Sequence, residues 1–223
     1  MEVNVITLFP EMFMALNSSI PKKAQEKQLL ELKIHHLRQH SKNRYGSVDD
    51  YPFGGEAGMV LSPEPLADAI NLIRGTQSIH TIFLTPDGKP YTQNRAKELA
   101  KLEKILIICG HYKGIDERIR TLFVNEEISM GNYVLSGGEI PALALIDSVA
   151  RLLPGVVNDQ ESVETDSFSQ PDGLLGWPVY TRPEVFMGER VPPVLLSGHH
   201  AEIHKWRREQ SLMRTRERRP DLL

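Results

Sequence analysis

Short apolar runs recur along this chain at intervals that leave room for a helix between them. Val3–Leu8, His80–Leu84 and Lys104–Cys109 each read as a buried strand, and Leu32–Leu37 as another with imperfect alternation. Helix-period stretches occupy the gaps: Pro10–Leu16, Pro21–Leu30, Pro63–Arg74 with Leu66, Ala69, Ile70 and Ile73 on one face, and Asn94–Leu102. A further helix is expected from an Asp116 cap to about Leu122. Strands alternating with helices imply an α/β fold with a mainly parallel sheet. In open sheets of this kind ligands bind beyond the carboxyl ends of the strands. Three loops follow strand ends here, 85–91, 110–115 and 130–138, and Thr85-Pro86-Asp87-Gly88 reads as a tight turn.

The third loop is the longest and chemically the most mixed. Val124–Ile128 leads into ISMGNYVLSGGEIPALA, residues 128–144. Gly131, Gly137 and Gly138 let backbone approach a ligand closely, and Asn132 and Ser136 add short polar groups. Tyr133, Val134 and Leu135 make an apolar insert that a solvent loop does not need. Glu139 opens a helix with Pro141 in its first turn, where a missing N–H costs nothing. Such a loop suits a small ligand with a ring and polar edges. A tight strand-to-helix turn is the plainer reading of the two adjacent glycines. The helix behind it, 141–153, is apolar nearly all round and is expected to be buried.

Length and charge exclude some classes. With 223 residues there is room for one large domain, or one domain and a small appendage. A formal net charge of -3 argues against a general polyanion binder and makes any basic footprint local. Cys109 is the single cysteine, so no internal disulfide can form; within Ile105-Leu-Ile-Ile-Cys109 it reads as a small apolar core residue of a reducing, cytoplasmic protein. No signal peptide and no membrane-crossing apolar run is visible. The first strand ends in Phe9-Pro10-Glu11 rather than G-x-G-x-x-G, and no Gly-Lys-Ser/Thr occurs, which closes the dinucleotide and P-loop routes. His200 and His204 are four apart but lack the carboxylate of a zinc helix, so no metal site is assigned.

Two stretches break the strand–helix rhythm. Residues 41–62 hold Gly46, Gly54, Gly55, Gly58 and Pro52 beside Arg44, Asp49, Asp50 and aromatic rings, which favours a functional loop. Residues 157–173 are acidic and poor in apolar anchors, like a linker. Beyond them lies a segment with Trp177, Tyr180, Phe186 and Trp206, where from His200 onward seven Lys/Arg face four Asp/Glu. Its arginines could position phosphates. Equally, it could be an amphipathic helix with Trp206, Leu212 and Met213 inward and a solvated basic face. Arg151 near the end of the apolar helix is a costly charge unless used, although a cation at a helix C-terminus is favourable in itself. Residue pattern alone does not separate Asp166 from Asp159 or Asp172.

Ten blocks in order resemble the bacterial tRNA (guanine-N1-)-methyltransferase family, TrmD: ITLFPEMF (6–13), VDDYPFGGEAGMV (48–60), LTPDG (84–88), CGHYKGIDER (109–118), ISMGNYVLSGGEIPA (128–142), DSVARLLPGV (147–156), ETDSF (164–168), YTRPEV (180–185), VPPVLLSGHHAEI (191–203) and RREQSLMRTRERRPDL (207–222). The resemblance implies a SPOUT methyltransferase: a parallel sheet with a deep trefoil knot and a small C-terminal helical domain. General topology rules would not suggest a knot. It implies a methyltransferase domain over 1–157, a flexible linker over 158–173 and a tRNA-binding domain over 174–223. It further implies a homodimer that methylates N1 of guanine 37, just 3′ of the tRNA anticodon, with S-adenosylmethionine. Leu84, Thr85, Pro86, Gly110, Tyr112, Met130, Gly131, Asn132, Tyr133, Val134, Leu135, Gly137 and Gly138 match the cofactor pocket. Asp166 matches the general base and Arg151 the cation for guanine O6; Asp50, Lys113, Arg182, Arg207, Arg208 and Arg214 fall on the RNA side. Many members carry Glu in place of Lys113 and Asp in place of Gly176, acids linked to a magnesium requirement. A need for Mg2+ is therefore left open, with the Lys113 ammonium expected to supply local positive charge. The chain also ends sooner than many relatives, so part of the C-terminal helical domain is expected to be missing. Other readings are a different SPOUT RNA methyltransferase, a non-catalytic RNA-binding protein on this scaffold, and, least favoured, a nucleotide-binding regulator.

Overall fold

The computed structural model describes residues 1–157 and 165–223. The chain divides into two compact units, Met1–Asn158 and Asp159–Leu223. In the first, the strands are β1 (Glu2–Thr7), β2 (Glu31–His36), β3 (Asp49–Asp50), β4 (Val60–Leu61), β5 (His80–Pro90), β6 (Lys104–Cys109) and β7 (Glu126–Ser129). The helices are α1 (Ser19–Glu26), α2 (Pro63–Arg74), α3 (Gln93–Leu99), α4 (Glu117–Phe123) and α5 (Glu139–Ala150), with 3-10 helices over Pro10–Asn17 and Leu37–His40. The main sheet runs β2-β1-β6-β5-β7, and every neighbouring pair is parallel. This confirms the α/β class and the parallel sheet.

The near-continuous apolar strands reflect burial on both faces. Val3, Val5, Ile105, Ile107, Cys109, Ile82 and Leu84 join one core under α1, α3 and α5. Ile6, Leu106, Ile108 and Phe83, the alternate positions, join a second core under α2 and α4. Burial pushes the Cys109 thiol well above its ordinary pKa, with the Glu139 charge adding to it, as suits a core residue rather than a nucleophile.

Several boundaries move for local reasons. The Thr92 hydroxyl accepts from Arg95 N and starts α3 one residue before Asn94. α1 runs from Ser19 and stops at Glu26, because Gln28 turns left-handed (φ 58°) and the amides of Leu29 and Leu30 fold back on the Ala24 carbonyl. Pro10–Asn17 is a 3-10 helix. The expected turn at 85–88 lies within β5, which continues to Pro90: Leu84 and Lys89 both pair with Ile128 of β7, so the four residues between them leave the ladder and return to it. Gly88 presses on β7 so closely that a Cβ there would lie 2.5 Å from the Glu127 carbonyl carbon. The excursion is a large bulge in β5.

The second unit, over its described residues, holds a hairpin of Val185–Phe186 with Glu189–Arg190, a helix His200–Arg218 and a 3-10 turn Pro220–Leu222. Residues 158–164 of the expected linker lie outside the described residues. The long helix does not turn Met213 inward; it is 46 % exposed. Ile203, Ser211 and Thr215 face in instead. The Thr215 hydroxyl donates to the Ser211 carbonyl and accepts from Leu175 N, so small satisfied polar groups hold positions that an apolar count would miss. Among the described residues no helix is long and apolar enough to cross a membrane.

At the amino end of β1, Glu2 accepts from Asn4 Nδ2 at 2.7 Å and pairs with Lys33 and Lys104, each at 3.0 Å. The Asn4 hydrogen bond first, then the two ammonium groups, hold its carboxyl down at about 2. A depressed carboxyl stabilises the fold above its unfolded value and loses that contribution as pH falls towards the folded value. The stability difference between wild type and E2Q, followed by urea unfolding, should therefore be largest above about pH 4.5 and shrink as pH approaches about 2.

Candidate active site

The carboxyl ends of β5, β6 and β7 border a cavity of about 310 Å3. Phe83 and Leu84 reach it from β5, Gly110 from the end of β6, and Ile128 and Ser129 from β7. The loop after β7 forms the rest of the wall. There the Ser129 hydroxyl donates to the Gly131 carbonyl at 3.1 Å and accepts from its amide at 3.2 Å. Gly131 sits at φ 144°, a conformation few side chains adopt, and its missing Cβ leaves space filled by the Tyr133 ring.

That loop is pinned to the end of β6, one strand beyond its neighbour β5, by contacts only glycine permits. Gly138 N donates to the Gly110 carbonyl at 2.9 Å, and Gly137 bridges to His111. A Cβ on Gly138 would lie 2.7 Å from Cys109 Cα, and one on Gly110 would lie 2.8 Å from the Phe83 ring. Glu139 then opens α5 with only 2 % of its surface exposed. Its carboxylate accepts from the Thr7 hydroxyl at 2.8 Å, and the helix N-terminus favours its charge. The end of β1 is thereby tied to the start of α5.

On the opposite side, Arg120 holds the bulge of β5. Its guanidinium makes a two-pronged contact with Glu127 (2.8 and 2.6 Å), reaches Asp87 at 3.3 Å and lies 5.6 Å from the centre of the Phe83 ring. The Glu127 carboxylate, above all, raises its pKa. Asp87 is the only carboxylate among the lining residues, and Arg120 occupies it. His111 lies between Phe9 (5.2 Å between ring centres) and Tyr112 (4.9 Å), and its buried Nδ1 has no hydrogen-bond partner. Among the described residues no group of three or more His, Cys, Asp or Glu is arranged to hold a metal ion.

A family model described as "tRNA (Guanine-1)-methyltransferase TrmD" matches residues 1–223. The chain belongs to this family. It is 52 % identical to a tRNA (guanine-N(1)-)-methyltransferase of Halalkalibacterium halodurans, over the whole of this chain and 91 % of that protein. It is also 52 % identical to the one of Clostridioides difficile, covering 97 % of it, and 51 % identical to that of Staphylococcus haemolyticus, covering 91 %.

Of the residues matched to the family's cofactor pocket, Leu84, Thr85, Pro86, Gly110, Tyr112, Met130, Gly131, Tyr133, Val134, Leu135, Gly137 and Gly138 all line the cavity, as does Lys113. Asn132 does not; it is exposed beside Gly131, whose positive φ redirects the chain. Asp50 borders a separate cleft with His40, Ser41 and Asp49. Arg151 caps the far end of α5, whose other end is at the cavity. Twelve residues of helix put the two about 18 Å apart. Asp166, Arg182, Arg207, Arg208 and Arg214 belong to the second unit. There the Asp166 carbonyl accepts from Ser169 N, Arg208 is paired with Asp172, and Arg207 stacks 5.0 Å over Trp177. Residue patterns did not point to Phe83, His111, Ser129, Arg120 or the burial of Glu139. Phe83, His111, Arg120 and Glu139 depend on partners distant in sequence, so no local spacing carried them, whereas Ser129 acts on Gly131 two residues on, a turn signal that the glycines overshadowed.

Replacing Gly138 by Ala forces a methyl group against the Cys109 backbone, which cannot yield as a flexible side chain would. Denaturant unfolding of G138A should show a loss of about 1–3 kcal/mol relative to wild type.

Proposed function

We propose that this chain transfers a methyl group from S-adenosylmethionine to N1 of guanine 37, just 3′ of the anticodon, in tRNA. The observation that carries the reading is the cavity itself, bounded by glycine backbone at the carboxyl ends of three parallel strands in a chain matched throughout by one family model. The residues present fit the cofactor. The cradle at Gly110, Gly137 and Gly138 has no room for side chains, the wall of Tyr133–Leu135 is apolar, and His111 Nδ1 is a buried polar atom without a partner. Leu84–Pro86, Gly110, Tyr112, Met130, Gly131, Tyr133–Leu135, Gly137 and Gly138 would hold it. When bound, it supplies an electrophilic methyl group.

The remaining chemistry belongs to the protein. Guanine N1 is protonated at neutral pH and is a poor nucleophile until that proton leaves. The Asp166 carboxylate takes the proton, leaving the N1 electron pair for the new N–C bond. Deprotonation spreads negative charge to guanine O6, and the Arg151 guanidinium stabilises it. Arg151 stands a helix length from its own cavity, which supports a homodimer in which it serves the partner's site. The apolar surface left bare around the cavity supports the same assembly: Val134 is 84 % exposed, Tyr133 56 % and Ile140 54 %. The return of the chain from the edge strand β7 to Cys109 and Gly110 fits the deep trefoil knot of SPOUT enzymes. The second unit, with Arg182, Arg207, Arg208 and Arg214, holds the tRNA together with Asp50, and the reaction takes place in the cytoplasm. The Lys113 ammonium at the rim supplies positive charge locally, in a cavity whose one carboxylate is already engaged.

Labelled methyl transfer to tRNA transcripts with and without guanine at the target position tests the reaction; incorporation into the latter would overturn it. D166A should lower the single-turnover rate by about 10^2–10^4. R151A should lower it by about 10^2–10^3. Because Lys113 stands in for a cation, EDTA should leave methylation of prefolded tRNA near its original rate. A collapse reversed by Mg2+ would refute that role.

A further inference from the structure

The loop joining β3 to β4, residues 51–59, carries two bare aromatic rings: Tyr51 is 78 % exposed and Phe53 101 %. Rings so fully solvated contribute nothing to the core. The loop is not pressed against the fold, since a Cβ on Gly54 (φ 95°) or Gly55 (φ 80°) would meet nothing within 4 Å. Its base, by contrast, is zipped to the cavity rim. Lys113 N donates to the Met59 carbonyl, Leu61 N to the Gly114 carbonyl and Asp116 N to the Leu61 carbonyl, each at 3.0 Å. The Lys113 methylenes cover Gly58, where a Cβ would lie 3.0 Å from Lys113 Cγ. Lys113 and Gly114 themselves line the cavity. The aromatic loop is therefore a direct outgrowth of the cavity's edge, with an ammonium at its root.

The reaction dictates what arrives at that edge. N1 lies on the Watson–Crick edge of guanine, so the base must leave any pair or stack to enter the cavity. Its withdrawal bares the face of a neighbouring base. Proteins that read single-stranded RNA cover such faces with aromatic side chains. We propose that the 51–59 loop is a stacking surface for tRNA, with Phe53, and Tyr51 two residues before it, covering an unpaired base that flanks the target guanine. The inference rests on the reading that the neighbouring cavity takes the guanine.

Phe53→Ala should raise the KM for tRNA about tenfold, as the loss of one base stack implies. Cofactor affinity by calorimetry should stay unchanged, and Phe53→Trp should restore the wild-type KM. In tRNA carrying 2-aminopurine on the 5′ or the 3′ side of the target, wild type should quench one of the two probes, and Phe53→Ala should not. An unchanged KM with quenching intact in Phe53→Ala would overturn the proposal. So would a shift of that variant from dimer to monomer in sedimentation, since the ring would then be covering a second copy. Failure of wild type to methylate any guanine-bearing tRNA would instead sink the reading of the cavity.

Discussion

The cavity depends on one close approach: the Gly138 amide on the Gly110 carbonyl, with the Cys109 backbone where a side chain would have to go. β7 is an edge strand, and the chain leaving it must return towards the middle of the sheet before α5 can begin. Glycine at 137 and 138 makes that return possible at backbone distance. Glu139 completes it, because a buried carboxylate at a helix N-terminus needs a donor, and the Thr7 hydroxyl on β1 supplies one. Three strands are thus coupled through a single loop end.

The same strands explain how much could be read in advance. Lys104–Cys109 is found where its apolar run ends, since a strand buried on both faces needs no more than apolar residues in sequence. Asp116 caps α4 as expected because capping is a local contract between a carboxylate and the amides just after it. The stretch 85–88 loops out as its Pro, Asp and Gly favour locally, between two residues that share Ile128 as partner and with Arg120 holding Asp87; that β5 resumes beyond it depends on β7 and was not legible. Met213 misled because polarity alone does not place a residue outside when the Thr215 hydroxyl can donate to the Ser211 carbonyl and accept from the Leu175 amide.

Helix α5 shows where residue type ceases to distinguish a core from an interface. Its apolar circumference predicts burial on all sides, yet Ile140 is 54 % exposed, and Ala144 is exposed too, while Ala142, Leu145, Ile146 and Val149 are buried. A sequence records that a surface should leave water, not whether its cover comes from the same chain. The cavity residues are in this respect easier to read than the pair proposed for catalysis. Glycines and their spacing identify a cradle within one unit, whereas Asp166 and Arg151 derive their significance from the family pattern.

Lys113 brings these threads together at one residue. Its amide belongs to the small ladder with Met59, its methylenes roof Gly58, and its ammonium lies 4.0 Å from Glu56 in a largely solvated setting. A pair so exposed contributes little to stability, so its cost of rearrangement is small. The charge can consequently turn away from Glu56 without loosening the fold. A residue tied by its backbone and loosely held at its tip keeps the cavity rim in place while leaving its charge adaptable.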